Sequence, residues 1–490
     1  MGTADRRGPL MLGIDVGTGS LKAMVCDERG VAVARAARSY PTAHPRPGLS
    51  EQDPRHWWQA LADAVRELVA TVEPGRLRAL ALSTQGGTLV PVGADGSAVA
   101  PAIVWTDRRC DQEYAEVSAA MPGDEVQHRT GWGLTQGMNL LQVRRIEREE
   151  PELAERIAQY LSVHDYLAVR LTGRPVLDPS NAGINQLGDV RTGRWDDDLL
   201  ALAGVRADRL GELAPAGTLI GPLLPQVAAE LGLPAHLVVI NGAHDQDCVA
   251  LGFGATGPGE LFIGSGTAWA IGSLLPSAAE GFARQQAVSH YVLAGLFLGL
   301  WTVPAGGSSL QWWREVASGE GELLAFDQLA APPSSAIAGL PMFFPYLSGS
   351  PFPHSSPRSR GVFWGLEEGH RAGDLAGAVM AGVSLQVAAM VATLERPAAS
   401  VTLAGGAASS AVWPGYLAGA LGIPVRTAAE PDLGARGAAL LAAIGAGLLA
   451  PDQVEPVATT AVVEPTDPGD WAAANLRFRD LARVITQQES

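Results

Sequence analysis

The chain contains 490 residues, enough for two large domains or three ordinary ones. Hydrophobic residues make up 47% of the chain and charged residues 18%, which excludes a disordered chain and a coiled coil. Acidic residues outnumber basic residues by 51 to 35, and the net charge of −16 argues against a nucleic-acid partner, because phosphate backbones require a basic surface.

The first half of the chain alternates between strand and helix patterns. Strands are predicted at residues 11–15, 21–26, 31–37, 77–83, 88–92 and 102–105, and a helix at residues 57–72. A mostly helical pattern follows over residues 107–173, and residues 178–195 are irregular and rich in Asn, Gly and Asp. Alternating strands and helices predict an α/β fold.

The second half begins near residue 237 and repeats this alternation. Strands are predicted at residues 238–241, 260–264, 291–293, 296–302 and 400–403, and helices at residues 244–252, 375–394, 413–421, 435–446 and 471–487. The two halves are therefore expected to be built alike.

Two Gly-Thr turns support an internal duplication. Gly17–Thr18 and Gly266–Thr267 each follow an apolar strand and precede a hairpin, and 249 positions separate the two threonines. A duplication would place the turns face to face across an interdomain cleft. Backbone N–H groups flanked by hydroxyls bind anions, so two such turns could grip the phosphates of one nucleotide. Either turn alone could be an ordinary glycine turn, but the matched contexts favour phosphate binding.

The cysteines and the hydropathy pattern indicate a cytoplasmic protein with no membrane partner. Cys26, Cys110 and Cys248 are far apart, so neither a disulfide framework nor a zinc ribbon is expected, and a reducing compartment fits. The N-terminal segment lacks the apolar core of a signal peptide. Residues 438–450 form the longest apolar run near the C-terminus, which is too short to span a bilayer.

Seven segments, in order along residues 11–447, resemble the FGGY family of carbohydrate kinases on the actin-like ATPase fold. They are GIDVGTGSLK (13–22), EQDPRHWW (51–58), PAIVWTDRR (101–109), DPSNA (178–182), GAHDQ (242–246), GELFIGSGT (259–267) and GGAASSAVW (405–413). The resemblance implies two actin-like (ribonuclease H-like) α/β ATPase domains with an interdomain cleft. It places the N-terminal domain at residues 10–240 and the C-terminal domain at residues 241–490.

The resemblance further implies an ATP-dependent kinase that uses Mg²⁺ and phosphorylates a hydroxyl of a small sugar. Within the family the chain is most similar to the xylulokinase-like members, which points to a ketose such as a pentulose, or to a polyol. The expected partner is therefore a small molecule, and a homodimer is one assembly that the resemblance allows. The identity of the sugar and the hydroxyl that is phosphorylated stay open.

The nucleotide side of the site is expected to come from the three Gly-rich motifs. The nucleotide-binding candidates are Asp15, Gly17, Thr18, Lys22, Gly266, Thr267, Gly405, Gly406 and Ser409. Asp15 would hold Mg²⁺ through water, although a turn-forming role is the alternative. Lys22, the only lysine in the chain, would stabilise phosphate charge, and its alternative is a solvated strand lysine.

Asp245 is the candidate general base, because it follows an apolar strand and falls where the family carries its catalytic aspartate. A helix N-cap is its alternative role. Asp247 is expected to point elsewhere, so that its replacement by Asn should be mild. The substrate-binding candidates are Gln85, Gly86, Trp105, Asp107 and Asp245. Core packing is the alternative for Trp105.

Departures from the family pattern make the sugar end of the site unusual. Gln85–Gly86 stands where xylulokinases usually carry Met-His and glycerol kinases carry Arg-Glu, and Ala408 replaces a frequent lysine of the adenosine motif. An actin-like ATPase that drives an assembly cycle and a sugar sensor without kinase activity are the alternative functions. Asp245, flanked by Gly242 and Gln246, argues against the ATPase, and the intact Asp15, Thr18, Lys22 and Asp245 argue against the sensor.

Overall fold

The structure is a computed structural model that describes residues 8–318 and 337–487. Residues 1–7, part of the N-terminal segment considered above, lie outside the described residues. The strands up to residue 244 are β1 Leu10–Val16, β2 Ser20–Asp27, β3 Ala32–Ser39, β4 Glu51–Gln52, β5 Leu77–Thr84, β6 Leu89–Val92, β7 Ala102–Ile103, β8 Gln159–Ser162, β9 Val176–Leu177, β10 Gly188–Asp189, β11 Arg194–Trp195, β12 Glu212–Leu213, β13 Leu219–Pro222 and β14 Val238–His244. The helices before β14 are α1 Pro54–Val69, α2 Asp111–Ala120, α3 Gly123–Thr130, α4 Asn139–Glu149, α5 Pro151–Ala154, α6 Val163–Thr172, α7 Pro179–Ile184, α8 Asp197–Ala203 and α9 Pro225–Leu231.

The rest of the described chain opens with α10. Its strands are β15 Leu261–Ser265, β16 Trp269–Leu275, β17 Ala287–His290, β18 Phe297–Val303, β19 Met342–Phe344, β20 Val362–Trp364, β21 Val401–Gly405, β22 Val425–Ala428 and β23 Thr459–Val463. Its helices are α10 Asp245–Phe253, α11 Ala278–Ala283, α12 Gly307–Ser318, α13 Ala372–Val391, α14 Trp413–Leu421, α15 Leu433–Gly445 and α16 Pro468–Gln487.

Two large sheets share one order over six strands, read from opposite ends, and the second has β17 as an additional edge strand. The first runs β13-β14-β5-β1-β2-β3, and the second runs β17-β18-β16-β15-β21-β22-β23. In the first sheet β1, β5 and β14 are parallel and β2 returns antiparallel, and β15, β21, β22 and β16 repeat this arrangement in the second. The expected class of two α/β domains of the actin-like type is confirmed. β14 belongs to the first sheet over its whole length, and the domain division between residues 240 and 241, which falls within it, stays a prediction.

Burial explains why these segments form strands and helices. β1 is apolar and buried at every position except Asp15, as a central strand covered on both faces requires. Helix α1 begins where the side chain of Asp53 accepts a hydrogen bond from the backbone N–H of Arg55, with Pro54 at its first position. Its buried face packs on β2 and β3 of the first sheet.

Helices α10 and α15 pack against each other, and α15 also lies on β1 and β5. Backbones approach closely at these crossings. A Cβ at Gly437 would lie 1.8 Å from the carbonyl oxygen of Cys248, and a Cβ at Gly13 would lie 1.9 Å from that of Ala435. Larger residues at these glycines would separate the elements, so the N-terminus of α15 is held beside β1.

Two local predictions differ from the structure. The stretch predicted to be irregular contains helix α7, which starts because Asp178 caps it and Pro179 occupies its first position. The strand predicted at residues 291–293 is not formed, and the antiparallel partner of β18 on this side is β17, Ala287–His290.

One helix among the described residues, α13, is long and apolar enough to cross a membrane by length and composition. Inside the protein 83% of its most apolar window is buried, so it serves as a core helix of the second half.

Candidate active site

The loops that follow three parallel strands meet at one edge of the first sheet. β1, β5 and β14 end at Val16, Thr84 and His244, and ligands bind at this carboxyl edge in open α/β sheets. A cavity of about 570 Å³ opens there. It is lined by Thr18, Gln85, Gly86, Trp105, Trp132, Gly133, Leu134, Thr135, Met138, Ile184, Gln186, His244, Asp245, Gln246 and Thr302. Because Thr302 lies on β18, the cavity lies in the cleft between the two sheets.

Asp15 is half-buried near the end of β1. The hydroxyl of Ser83 donates a hydrogen bond of 2.6 Å to Asp15 Oδ1. Burial raises the pKa of Asp15 to about 6, the Ser83 hydrogen bond opposes this rise, and the carboxylate of Asp245 adds to it. A Cβ at Gly434 would lie 2.8 Å from Asp15 Cγ, so only glycine fits beside the carboxyl group.

Lys22 pairs in register with Asp15 across the first hairpin. Its ammonium lies 3.3 Å from Asp432 Oδ1, just before α15, and 41% of its side chain is exposed. Lys22 therefore has a carboxylate partner from the second half of the chain and is not simply solvated. The same ammonium lowers the pKa of Asp15 to a lesser extent than burial raises it.

The first Gly-Thr turn is braced by polar side chains. Trp105 Nε1 donates to Thr18 Oγ1 at 3.0 Å, and Gln52 Nε2 donates to the carbonyl oxygen of Thr18 at 2.5 Å. The hydroxyl of Tyr40 donates to the carbonyl oxygen of Gly17. With 41% of its surface exposed at the cavity, Trp105 is not a core residue and links the cavity to this turn.

Gln85 and Gly86 form part of the cavity wall. Gln85 is 2% exposed, and its amide contacts Gln52 Oε1 at 3.2 Å and Thr88 Oγ1 at 3.3 Å. A Cβ at Gly86 would lie 2.4 Å from Ile184 Cγ2, which explains the glycine. The structure thus places both residues at the cavity, and their contact with the substrate stays a prediction.

The structure does not bring Asp107 to the cavity lining. Its carboxylate is 2% exposed and accepts hydrogen bonds from Arg109 Nε at 2.9 Å and from the backbone N–H of Ser50 at 2.7 Å. Arg109 also contacts Glu51 at 2.7 Å. The carboxylate of Asp107 therefore lies in this ion-pair cluster and not at the cavity lining, and its contact with the substrate stays a prediction.

Asp245 is the first residue of α10, and 29% of its side chain is exposed. Gln246 Nε2 donates to Asp245 Oδ1 at 3.2 Å, and His244 Nε2 lies 3.2 Å from the same oxygen. Asp247 is fully buried and accepts a hydrogen bond of 2.8 Å from the hydroxyl of Ser289. Asp247 therefore points away from the cavity, as expected. Because it is buried and hydrogen-bonded, its replacement would also disturb the packing around it.

The second Gly-Thr turn follows β15, with Gly266 and Thr267 exposed. The first turn of α12 packs against it, since a Cβ at Gly307 would lie 2.3 Å from the carbonyl oxygen of Gly266. The backbone N–H of Ser308 donates to the carbonyl oxygen of Thr267 at 3.0 Å.

The third Gly-rich motif lies beside this turn, because β21 runs parallel to β15 with Gly405 opposite Ser265. Gly405 has φ of 92°, and a Cβ there would lie 2.6 Å from the carbonyl oxygen of Ser265. A single 3₁₀ turn, Gly406–Ser409, continues the motif. The structure thus brings five of the nucleotide-side candidates together in the second half.

Several cavity residues were missed by sequence reasoning, notably Trp132, Gln186 and Thr302. Gln186 has φ of 61°, and its amide nitrogen donates to the carbonyl oxygen of Gly133 at 2.6 Å. Trp132 Nε1 and Gln186 Oε1 have no hydrogen-bond partner within residues 8–318 and 337–487. No spacing signal marks these residues, since they reach the cavity from loops far apart in the chain.

The carboxylate of Asp15 lies near the end of β1, just before the first turn, where a metal ion could contact it. Among the described residues no group of three or more His, Cys, Asp or Glu side chains could hold a metal. This donor set suits Mg²⁺, which keeps most of its waters and is bound through one or two carboxylates and substrate phosphates.

Two α/β halves with corresponding sheets and a cavity in the cleft between them have the architecture of a phosphotransferase of the actin-like ATPase type. The chain belongs to the FGGY family of carbohydrate kinases: the model of the family's N-terminal domain matches residues 10–252 and that of its C-terminal domain matches residues 284–446. Kinases of this family use ATP as the phosphate donor, so the protein is an ATP-dependent carbohydrate kinase. The family resemblance of the sequence is confirmed.

The chain is similar to characterised kinases over most of its length. A xylulose kinase from Escherichia coli (strain K12) is 31% identical over 447 residues, 89% of this chain and 90% of that protein. A gluconokinase from Bacillus subtilis (strain 168) is 27% identical over 425 residues, 82% of this chain and 81% of that protein. The crystal structure of a xylulose kinase from Rhodospirillum rubrum matches with a TM-score of 0.87 at 29% identity, covering 98% of each chain.

Proposed function

We propose that the protein transfers the γ-phosphoryl group of ATP to a hydroxyl of a neutral ketose or polyol, with a pentulose such as xylulose as the first candidate. One observation carries the proposal: the partly exposed carboxylate of Asp245 opens into a cleft cavity of amides, hydroxyls and two indole rings. Polar groups beside an aromatic face suit a polyhydroxylated ligand. Similarity to xylulose kinases supports the choice of a pentulose.

The charge of the cavity favours a neutral sugar over a sugar acid. Among the residues that the structure describes, no arginine or lysine lines the cavity. The ring of His244 does line it, but both of its nitrogens lie beside carboxylates, those of Asp245 and Asp247, and Asp245 brings a negative charge to the cavity. A carboxylate substrate such as gluconate needs a cationic partner, because burying an unpaired charge is costly. The similarity to a gluconokinase is therefore outweighed by the lining of the cavity.

Asp245 is the proposed general base. As the sugar oxygen attacks the γ-phosphorus, its O–H proton passes to the Asp245 carboxylate. The bond between the γ-phosphorus and the bridging oxygen of ATP breaks, and ADP leaves with that oxygen. General base assistance of this kind contributes about 10²–10⁴-fold.

The Gly-Thr turns are proposed to bind the phosphates from the two sides of the cleft. Thr18 and Thr267 offer hydroxyl and backbone N–H donors, and Lys22 stabilises phosphate charge. Asp15 would hold Mg²⁺ through water, and the ion would neutralise charge on the β- and γ-phosphates. Gly405, Gly406 and Ser409 complete the nucleotide side beside the second turn.

The experiment is an ATP-consumption screen over ketopentoses, ketohexoses, polyols and gluconate, with the phosphorylated position determined for each product. We expect turnover with a neutral ketose or polyol and little with gluconate. Preference for gluconate would refute the neutral-sugar proposal. ATP turnover that needs no sugar would favour the actin-like ATPase, and sugar binding without turnover would favour the sensor.

A substitution tests the general base. Asp245→Asn keeps size and shape but cannot take the proton, so kcat should fall about 10²–10⁴-fold while KM for Mg-ATP changes little. Asp197→Asn is the matched control, since Asp197 is likewise the first residue of a helix but is exposed on α8. Near-normal turnover in Asp245→Asn would overturn the assignment. Asp247→Asn is not a neutral control, because Asp247 is buried against His244.

A further inference from the structure

His244 lies between two carboxylates at the junction of β14 and α10. Its Nε2 lies 3.2 Å from Asp245 Oδ1, and its Nδ1 lies 3.4 Å from Asp247 Oδ2. Asp247 Oδ2 accepts a hydrogen bond of 2.8 Å from the hydroxyl of Ser289 on β17. His244 is 5% exposed and Asp247 is fully buried, so both side chains are enclosed by the protein.

The surroundings of the His244 ring favour its charged form. Trp132 packs edge-on against the ring at 5.6 Å between centroids. Burial by itself would lower the pKa of His244, but the carboxylates of Asp245, Asp247 and Asp178 outweigh burial and hold the pKa above its ordinary value of 6.5. Asp178 acts from the N-terminus of α7, and the other two carboxylates lie on α10. An imidazolium at this place offsets the negative charge of its neighbours.

We propose that His244, held by Asp247 and Ser289, is a positioning residue that fixes the carboxylate of Asp245 for proton acceptance from the sugar. This proposal rests on the proposed role of Asp245 as general base. His244 and Gln246 both approach Oδ1 of Asp245, which leaves Oδ2 for the sugar hydroxyl. His244 itself takes no proton from the substrate. Holding the base in one orientation matters because misplacement by about 1 Å can cost about 10²-fold in rate.

The kinetic test uses His244→Gln, which is neutral at every pH. In the wild type the charged ring is present below its raised pKa and is lost as the pH rises through it, so kcat should fall on the alkaline side. His244→Gln should lower kcat between about 10- and 100-fold at pH 7, leave both KM values within about twofold, and remove this alkaline fall. An unchanged kcat or an unchanged alkaline fall in His244→Gln would overturn the proposal.

His164→Gln is the matched control. His164 is also buried, and its Nε2 accepts the backbone N–H of Gly242 at 3.1 Å, so its loss perturbs the same strand without touching Asp245. Burial lowers the pKa of His164, unlike that of His244. The control should lose stability but keep the alkaline fall. If it loses the alkaline fall as well, the effect is structural and the positioning role is wrong.

A measurement without substrate separates this proposal from the proposed function. The His244 ring is titrated by NMR in the free protein, with its signal assigned by absence in His244→Gln. The pKa should lie above 6.5 in the wild type and fall in Asp247→Asn, because one of the carboxylates that favour the charge is removed. If the pKa of His244 has its ordinary value and does not change in Asp247→Asn, the proposal that a charged His244 holds Asp245 is overturned. A sugar screen without turnover would overturn the proposed function and the positioning role that rests on it, whereas the titration would still show whether His244 is charged between the two carboxylates.

Discussion

Replacing Asp15 by Asn should make the protein more stable while destroying its use of ATP. The pKa of Asp15 rises from 3.8 to about 6 on folding, chiefly because of burial. A rise of this size corresponds to about 3 kcal/mol of destabilisation once the group is ionised in both states. Asn keeps the shape and can still accept the hydrogen bond from Ser83, but it carries no charge to desolvate.

The sign and the pH window follow from the raised pKa. Between about pH 4 and pH 6 the folded state binds more protons than the unfolded state, so wild-type stability falls as pH rises through this range. In urea unfolding without nucleotide, Asp15→Asn should exceed the wild type by about 3 kcal/mol at pH 8 and by about half of that at pH 5. Mg-ATP should stabilise the wild type and not the variant.

Asp197→Asn, at an exposed helix terminus, is the control and should show no such pH-dependent gain. A loss of stability at pH 8 in Asp15→Asn, or a gain that does not depend on pH, would refute the argument that burial of the ionised Asp15 carboxylate lowers the free energy of unfolding. Retained ATP turnover in Asp15→Asn would refute its place at the Mg²⁺ site.

Two further predictions concern the phosphate side and the cleft. Lys22→Met should raise KM for Mg-ATP about tenfold and leave KM for the sugar unchanged, whereas Arg35→Met, which also removes an ion pair to Asp432, should leave ATP kinetics intact. If Lys22→Met keeps wild-type ATP kinetics, Lys22 only forms its ion pair with Asp432 and does not bind phosphate. Because the two Gly-Thr turns belong to opposite halves, sugar and nucleotide together should reduce the radius of gyration in solution scattering. An unchanged profile with both ligands at saturation would contradict closure.

The fold was readable from the sequence because its signals are local. Continuous apolar runs followed by Gly-Thr predict buried strands that enter tight turns, and both β1 and β15 have this form. Their repetition at matched places predicts the duplication, and the shared strand order of the two sheets agrees with it. Asp245 could be placed at the cleft in the same way, since the residue after a parallel strand lies at the carboxyl edge of the sheet.

The contacts of individual side chains were decided by tertiary packing. Asp107 is adjacent to the cavity residue Trp105 in the sequence motif, but its carboxylate is enclosed by Arg109 and Ser50. Trp132 and Gln186 reach the cavity from loops that no spacing connects to β1 or β14. Local patterns indicate which backbone segments form strands and helices. The partners of a carboxylate depend instead on which segments, distant in the sequence, pack beside it.

The same reason explains the least predictable part of the site. The sequence shows His244, Asp245 and Asp247 close together at the start of a helix. From the sequence, the only reason to expect Asp245 and Asp247 to point in different directions is that residues two apart lie on different faces of a helix. Only the packing of β17 against this helix brings Ser289 to Asp247 and leaves the ring of His244 between the two carboxylates. The sequence by itself determined the fold, the two turns and the position of Asp245 at the end of β14, because these depend on neighbours along the chain. The tertiary structure decided which groups surround Asp245, because burial and charge depend on neighbours in space.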